Sequence, residues 1–352
     1  MASTCSPTSA LVAAAETAAV YPRVRWMGSK YRLLPHLAQT FAEIGGSTAL
    51  DAFSGSGVVG YLLKKQGFEV HSNDYLGFPG VVVKAAIVNN SSRLSPRDVN
   101  QILSPSADGR SWIRATYEGR FFAPDDLDFL DSAWSHIDAM TGHKRSLAIA
   151  ALCLSAARKQ PRGVFTISGD LRHYDDGRRD LRIPMRQHFV ERVAEYNAAV
   201  FRGPKATVSA LEVSEVPSRP WDIVYLDPPY APPRDDNDYT RRFHFLEGLS
   251  RYWIGDDLMW ETKTRKLPKR VTPFSTKRTI VEAFRDLFKQ FGDSTIVLSY
   301  GSNALPDLET LVALLHEVKM DVDVRSIPHT YTYGTHARAE RRAVDEYIIV
   351  AR

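Results

Sequence analysis

The chain has 352 residues, 44% apolar and 24% charged, with a net charge of +4 and two cysteines. That length supports one large or two modest domains with a proper core, and the composition excludes a disordered or fibrous protein. Cys5 and Cys153 form neither a disulfide ladder nor a metal-ligand spacing, which excludes a small secreted scaffold and leaves no metal site to expect.

In chain order, MASTCSPTSALVAAAETAAV lacks a basic start and carries Glu16 within its apolar part, so residues 1–20 read as a flexible tail. No uncharged apolar run approaches the length of a membrane span, so no membrane partner and a cytoplasmic, nucleoid-associated location are expected. STALDAF (47–53) predicts a short buried strand. It runs into DAFSGSGVVG, where Gly55, Gly57 and Gly60 spell G-x-G-x-x-G, the sign of a nucleotide-binding turn between strand and helix. VVGYLLKKQG predicts that helix, closing at Gly67, and FEVHSND (68–74) predicts the next strand, ending in Asp74.

Residues 91–205 fit strand–helix alternation poorly. HKRSLAIAALCLSAARKQ (143–160) has few polar positions and predicts a buried helix. IPMRQHFVERVAEYNAAV predicts a second helix, with Phe189, Val193, Tyr196 and Val200 on one face. The segment reads either as an inserted subdomain or as extra helices packed on the sheet. Beyond it, ATVSAL (206–211), WDIVYL (221–226) and STIVLSY (294–300) predict strands of a mostly parallel sheet. LETLVALLHEV has helical spacing, and VDVRSI and EYIIVAR predict a closing antiparallel pair. Basic residues cluster locally: eleven Lys and Arg against six Asp and Glu over 158–205, and seven against none over 263–278. Such clusters occur both on nucleic-acid binders and on plain solvated faces.

YLDPPY sets Asp227, Pro228, Pro229 and Tyr230 at the carboxyl end of an apolar strand. Ligands of open α/β sheets bind outside such ends, where Asp51, Asp74 and Asp227 would gather from three strands. A dehydrogenase has no use for this turn, whereas methylation of an amino group conjugated to a ring does. The lone pair of adenine N6 is delocalised into the purine, so the nitrogen is a poor nucleophile. The Asp227 carboxylate and the Pro228 carbonyl can accept its two N–H bonds and favour the pyramidal geometry of attack. Two consecutive prolines stiffen the turn, and Tyr230 offers a flat face to a base swung out of the helix. A donor with an activated sulfonium needs only positioning and electrostatics, with no metal.

RWMGSKYRLLP (25–35), DAFSGSG and DPPY stand in the order of the alpha-group, Dam-type adenine-specific DNA N6-methyltransferases, and the chain resembles that family from about residue 23 onward. LSYGSN (298–303) and EYIIV are similar to its later segments. The resemblance implies an α/β fold with a Rossmann-like sheet, mostly parallel with an antiparallel C-terminal edge. Residues 21–90 and 206–352 would form the catalytic domain, and 91–205 an inserted, mainly helical target-recognition subdomain. The implied cofactor is S-adenosyl-L-methionine and the implied partner is double-stranded DNA.

Residue by residue, Gly28, Ser29 and Lys30, with Trp26 and Met27, would approach the methionine part; Ser29 replaces a frequent second glycine. Asp51, Phe53, Ser54, Gly55 and Gly57 would line the cofactor, Asp74 would take its ribose hydroxyls, and Glu212 is the candidate for its adenine. Asp227, Pro228 and Tyr230 would grip the target base, with Asp227 also facing the cofactor. Arg172, His173, Tyr174, Arg178 and Arg179 are candidate DNA contacts in the insert, and Lys266, Lys269 and Arg270 are candidate phosphate contacts. The biological setting is an orphan role or one paired with a restriction or phage-defence partner. A methyltransferase acting on RNA adenine or a protein amide is the alternative within enzymes; such relatives usually carry Asn in place of Asp227. A catalytically silent DNA-binding subunit is the alternative outside them.

Overall fold

A computed structural model describes residues 7–24, 26–161, 164–166, 177–229, 238–333 and 340–352, with the backbone alone at 329–333 and 340–343. The strands are β1 (Thr48–Asp51), β2 (Glu69–Asn73), β3 (Ala206–Ser209), β4 (Ile223–Leu226), β5 (Thr295–Gly301), β6 (Val322–Tyr333) and β7 (Glu340–Ala351). They form one seven-stranded sheet in the order β3-β2-β1-β4-β5-β7-β6. The first five are mutually parallel, and β7 runs antiparallel to both β5 and β6. This is the expected mixed α/β sheet. The closing strands are longer than the sequence pattern suggested: β6 and β7 pair from Val322↔Ala351 to Tyr333↔Glu340, while β5 reaches only as far as Glu346. Beyond that point the two strands supply each other's hydrogen bonds, so Pro328 does not end the strand.

Helices cover both faces. On one face lie α1 (Pro7–Val20), α2 (Leu34–Ile44), α3 (Val58–Lys65) and α4 (Gly77–Val83). The helices α5 (Pro96–Ile102), α6 (Trp112–Tyr117), α7 (Pro124–Ile137), α8 (Gly142–Lys159), α9 (Arg179–Arg182) and α10 (Met185–Ala199) follow, and α11 (Tyr239–Leu249) completes the layer. The other face carries α12 (Ile280–Gln290) and α13 (Leu308–His316), whose Phe284, Leu287, Phe288 and Leu311 pack on Leu50, Val224 and Ile296. α8 is buried from Leu147 to Ala157, and Phe189, Val193, Tyr196 and Val200 are all buried, as their spacing predicts. Apolar side chains of the 91–205 helices belong to the same continuous cluster as those of α1–α4 and α11. Among the described residues the segment therefore does not have a core of its own.

The N-terminal expectation needs correction. Residues 7–20 are helical and not a tail, with Ala10, Ala14 and Thr17 buried at helical spacing. The stretch lacks large apolar residues, but alanine is the best helix former, and its small side chain lets α1 lie close against α2 and α3. The end of the helix is held to the glycine turn: the Tyr21 hydroxyl donates to the Ser56 carbonyl at 2.8 Å. Gly57 sits beneath that hydroxyl with φ of 80°, and a Cβ there would come within 2.5 Å of it. The position thus requires glycine on two counts.

Ala14→Asp would bury a carboxylate at this contact. We expect hydrogen exchange to show loss of protection over 7–20 with the sheet amides retained, and a stability loss of about 2–3 kcal/mol.

Candidate active site

Three carboxylates meet at the carboxyl edge of the sheet: Asp51 ends β1, Asp74 follows β2 and Asp227 follows β4. Asp51 is buried, and its Oδ2 accepts from Gly60 N–H at 3.0 Å, while Oδ1 has no hydrogen-bond partner among the described residues. Burial, and then the charge of Asp227, push its carboxyl up to about 8. Asp74 accepts from Gly55 N–H at 2.8 Å and from Leu76 N–H at 3.0 Å. Burial raises it to about 7 in spite of those two donors. Asp227 is raised mainly by burial, and Lys30 opposes the shift from 2.8 Å away.

Lys30 lies in the short helical turn Lys30–Arg32, with only 6% of its side chain exposed against 20% for Asp227. Its Nζ also donates to the Gly28 carbonyl at 2.8 Å. A lysine at a helix start is ordinarily a surface residue; here the preceding turn folds it inward onto the acid. Beneath Asp227, the Tyr225 hydroxyl and Ser299 Oγ lie 2.7 Å apart, and the buried Glu346 adds to the rise at Asp227.

One cavity is walled by Trp26, Met27, Gly28, Lys30, Phe53, Gly55, Asp74, Tyr75, Asp227, Pro229 and Tyr239. A second compartment adjoins it through Phe53, Tyr75 and Pro229, and is closed by Asn73, Leu211, Glu212, Thr272 and Phe274 among others. Gly55 has φ of 47°, and a Cβ there would lie 2.5 Å from the Trp26 indole nitrogen. Trp26 in turn stacks on Phe243 of α11, with ring centres 4.4 Å apart. The glycine is needed because the indole roofs the turn. Glu247 of α11 accepts from Gly77 N–H at 2.9 Å and Phe78 N–H at 2.8 Å. The helix after the Asp-Pro-Pro turn is thereby tied to the first turn of α4, directly behind Asp74.

The cleft brings together Trp26, Met27, Gly28, Lys30, Phe53, Gly55, Asp74 and Asp227, and sets Glu212 in its second compartment. Asp51, Ser54 and Gly57 lie buried in or just behind the glycine turn, and Ser29 precedes the Lys30 turn. Pro228 is buried, and Pro229 supplies the wall instead. Tyr230, Arg172, His173 and Tyr174 lie outside the described residues. Tyr75, Asn73, Tyr239, Thr272 and Phe274 were missed; only Tyr75, adjoining Asp74, and Tyr239, opening the first helix after the Asp-Pro-Pro turn, carried a positional signal.

Three of the arginine candidates have partners within the fold. Arg178 donates to the Pro161 carbonyl, and Arg179 pairs with Glu191. Lys266 lies beside Thr262, whose hydroxyl accepts from its backbone N–H at 3.2 Å. Arg270, also a candidate phosphate contact, lies at the edge of the cleft. Its guanidinium donates to the Tyr75 carbonyl at 2.6 Å, and it lies 3.1 Å from Glu212 Oε1. The acids at that edge attract the cation more locally than a surface basic run can reveal.

Residues 26–156 match the model of the D12 class N6 adenine-specific DNA methyltransferases. Over that stretch the chain is similar to that class. It is 29% identical over 327 residues to the Type II methyltransferase M2.HphI of Haemophilus parahaemolyticus, covering 88% of this chain and 92% of that protein. The Modification methylase StsI of Streptococcus sanguinis is 26% identical over 87% of this chain, and the Type II methyltransferase M.FokI of Planomicrobium okeanokoites 23% identical over 92%. The chain spans about half the length of those two proteins, 48% and 52%. The family segment contains the Trp26–Lys30 turn, the glycine turn and Asp74, so three of the cleft's walls come from the matched stretch. No described helix is long and apolar enough to cross a membrane.

Asp51 gives a test of the electrostatics. Its raised carboxyl binds a proton in the folded chain that the unfolded chain has released, so its contribution to stability is full below about pH 4 and is lost as pH rises through about 8. Asp51→Asn keeps an acceptor for Gly60 N–H and removes the titration. The melting temperature of the variant relative to wild type should therefore climb from pH 5 to pH 8, by roughly 2 °C or more. A pH-independent difference would reject the assignment.

Proposed function

We propose that this chain transfers a methyl group from S-adenosyl-L-methionine to N6 of an adenine in double-stranded DNA, in a restriction-modification, phage-defence or orphan methylation role. The observation that carries the reading is the convergence of Asp227 and its proline turn with Asp74, the glycine turn and an aromatic wall in one two-compartment cleft, with Asp51 buried behind the turn. The residues present fit the donor. The site is rich in carboxylates, Asp51 keeps a buried oxygen without a partner among the described residues, and the glycine turn offers backbone where a side chain would not fit. The bound donor supplies an electrophilic methyl group on a sulfonium.

The chain's own residues do the rest. Phe53, Gly55, Asp74 and Tyr75 hold the donor's orientation, with the protonated Asp51 bracing the glycine turn from behind as the acceptor of Gly60 N–H. Asp227 accepts one N–H of the adenine amino group, and the backbone carbonyl of Pro228 is positioned by its rigid ring to accept the other. Localising the lone pair on nitrogen in this way is a gain realised mainly in the transition state. After attack, N6 carries a surplus proton that leaves through the Asp227 carboxylate, whose affinity for it is raised by burial. Lys30 offsets part of that rise, because its ammonium favours the charged form. The division of labour that accompanies this reading assigns target recognition to 91–205.

Purified protein, labelled donor and unmethylated genomic DNA should yield N6-methyladenine after digestion to nucleosides and mass spectrometry. Asp227→Ala should retain binding of S-adenosylhomocysteine and lose at least about a thousandfold in turnover. Methylation of RNA alone, or an active Asp227→Ala, would overturn the reading. Lys30→Met removes the charge that lowers Asp227, so the acidic limb of kcat/KM should move to higher pH. An unmoved limb would separate Lys30 from the reacting carboxylate.

A further inference from the structure

The segment from Leu267 to Ser275 joins two parts of the core that lie on opposite faces of the sheet. Leu267 is buried in the cluster shared by α1–α4 and α11, whereas Phe274 is buried in the cluster beneath α12 and α13. Thr272 and Phe274 close the second compartment of the cleft, and the Phe274 ring meets Phe53 edge-on with centres 5.6 Å apart. Between the two anchors stands Arg270. Its Nη1 donates to the Tyr75 carbonyl at 2.6 Å, its Nη2 lies 3.1 Å from Glu212 Oε1, and the guanidinium sits 5.2 Å from the centre of the Tyr75 ring. One side chain thus links the loop after β2 to the loop after β3. A planar fork with several donors suits this double engagement, which a lysine cannot reproduce in full.

We propose that Arg270 is a positioning residue of the methyl-donor site, latching the 267–275 strap across the compartment walled by Phe53, Tyr75, Glu212 and Phe274. The inference rests on reading the cleft as that site. With the latch closed, Thr272 and Phe274 are held as walls of the compartment, and a bound donor leaves only when the strap gives way. Arg270 does not touch the reacting atoms, so its role lies in residence of the donor and not in methyl transfer. On this proposal the guanidinium is engaged within the chain rather than on a phosphate, although it belongs to a strongly basic stretch.

The test uses the full chain and S-adenosylhomocysteine, followed by tryptophan fluorescence, since Trp26 lines the cleft. Arg270→Ala should release the ligand about tenfold faster and raise the donor KM by a similar factor, with kcat at saturating donor within about twofold of wild type. Arg270→Lys, which keeps the charge beside Glu212, should recover part of the loss. The salt dependence of DNA binding should be unchanged in both variants. Should Arg270→Ala fail to fold, Arg270→Gln, which removes the charge beside Glu212 while keeping a donor for the Tyr75 carbonyl, should speed release by a smaller factor. Release and KM equal to wild type would overturn the latch. A salt slope lower by about one unit would return Arg270 to the phosphate contacts instead. Failure of the wild-type chain to bind S-adenosylhomocysteine would overturn the reading of the cleft itself, an outcome distinct from either.

Discussion

Three acids at the edge of one sheet, only one of them ion-paired with a buried lysine, set the terms for this molecule. Burying carboxylates without partners costs free energy, and the chain meets that cost by protonation at Asp51, by backbone donors at Asp74 and by Lys30 at Asp227. Each solution is local and different. Their common consequence is a site that favours any ligand bringing positive charge or hydrogen-bond donors, since either offsets the cost of the buried carboxylates.

The elements around the acids are coupled through side chains rather than through the sheet alone. Trp26 lies over Gly55 and stacks on Phe243, so the segment before the first strand, the glycine turn and α11 share one contact. Glu247 caps α4 from the same helix. α11 thus touches the segment before β1, the glycine turn and the start of α4 at once. The helices of 91–205 pack into the same apolar cluster as α11. Among the described residues, the 91–205 segment is in this way built onto the wall of the cleft without a separate core.

Strand-end acids, the glycine turn and the Asp-Pro-Pro stretch were legible because each depends on residues close in sequence. A strand that ends in acid, a turn that needs positive φ and a proline pair with fixed φ are local facts, and Asp51, Gly55, Asp74 and Asp227 stand where those facts put them. The α1 helix was not legible, since its stability comes from close packing of alanines on helices distant in sequence. The roles of the basic residues were not legible either. Arg178, Arg179 and Arg270 all sit in basic stretches, yet each is bound to a carbonyl or carboxylate that only folding brings near.

What the sequence by itself determined is the order of strands and helices and the identity of the groups at the strand ends, because backbone preference and hydrophobic period act over a few residues. What only the tertiary structure decided is which charges meet. Lys30 and Asp227 are 197 positions apart, and Arg270 lies 195 from Tyr75 and 58 from Glu212. Electrostatic partnership depends on distance and burial in space, and no run of residues along the chain carries that information.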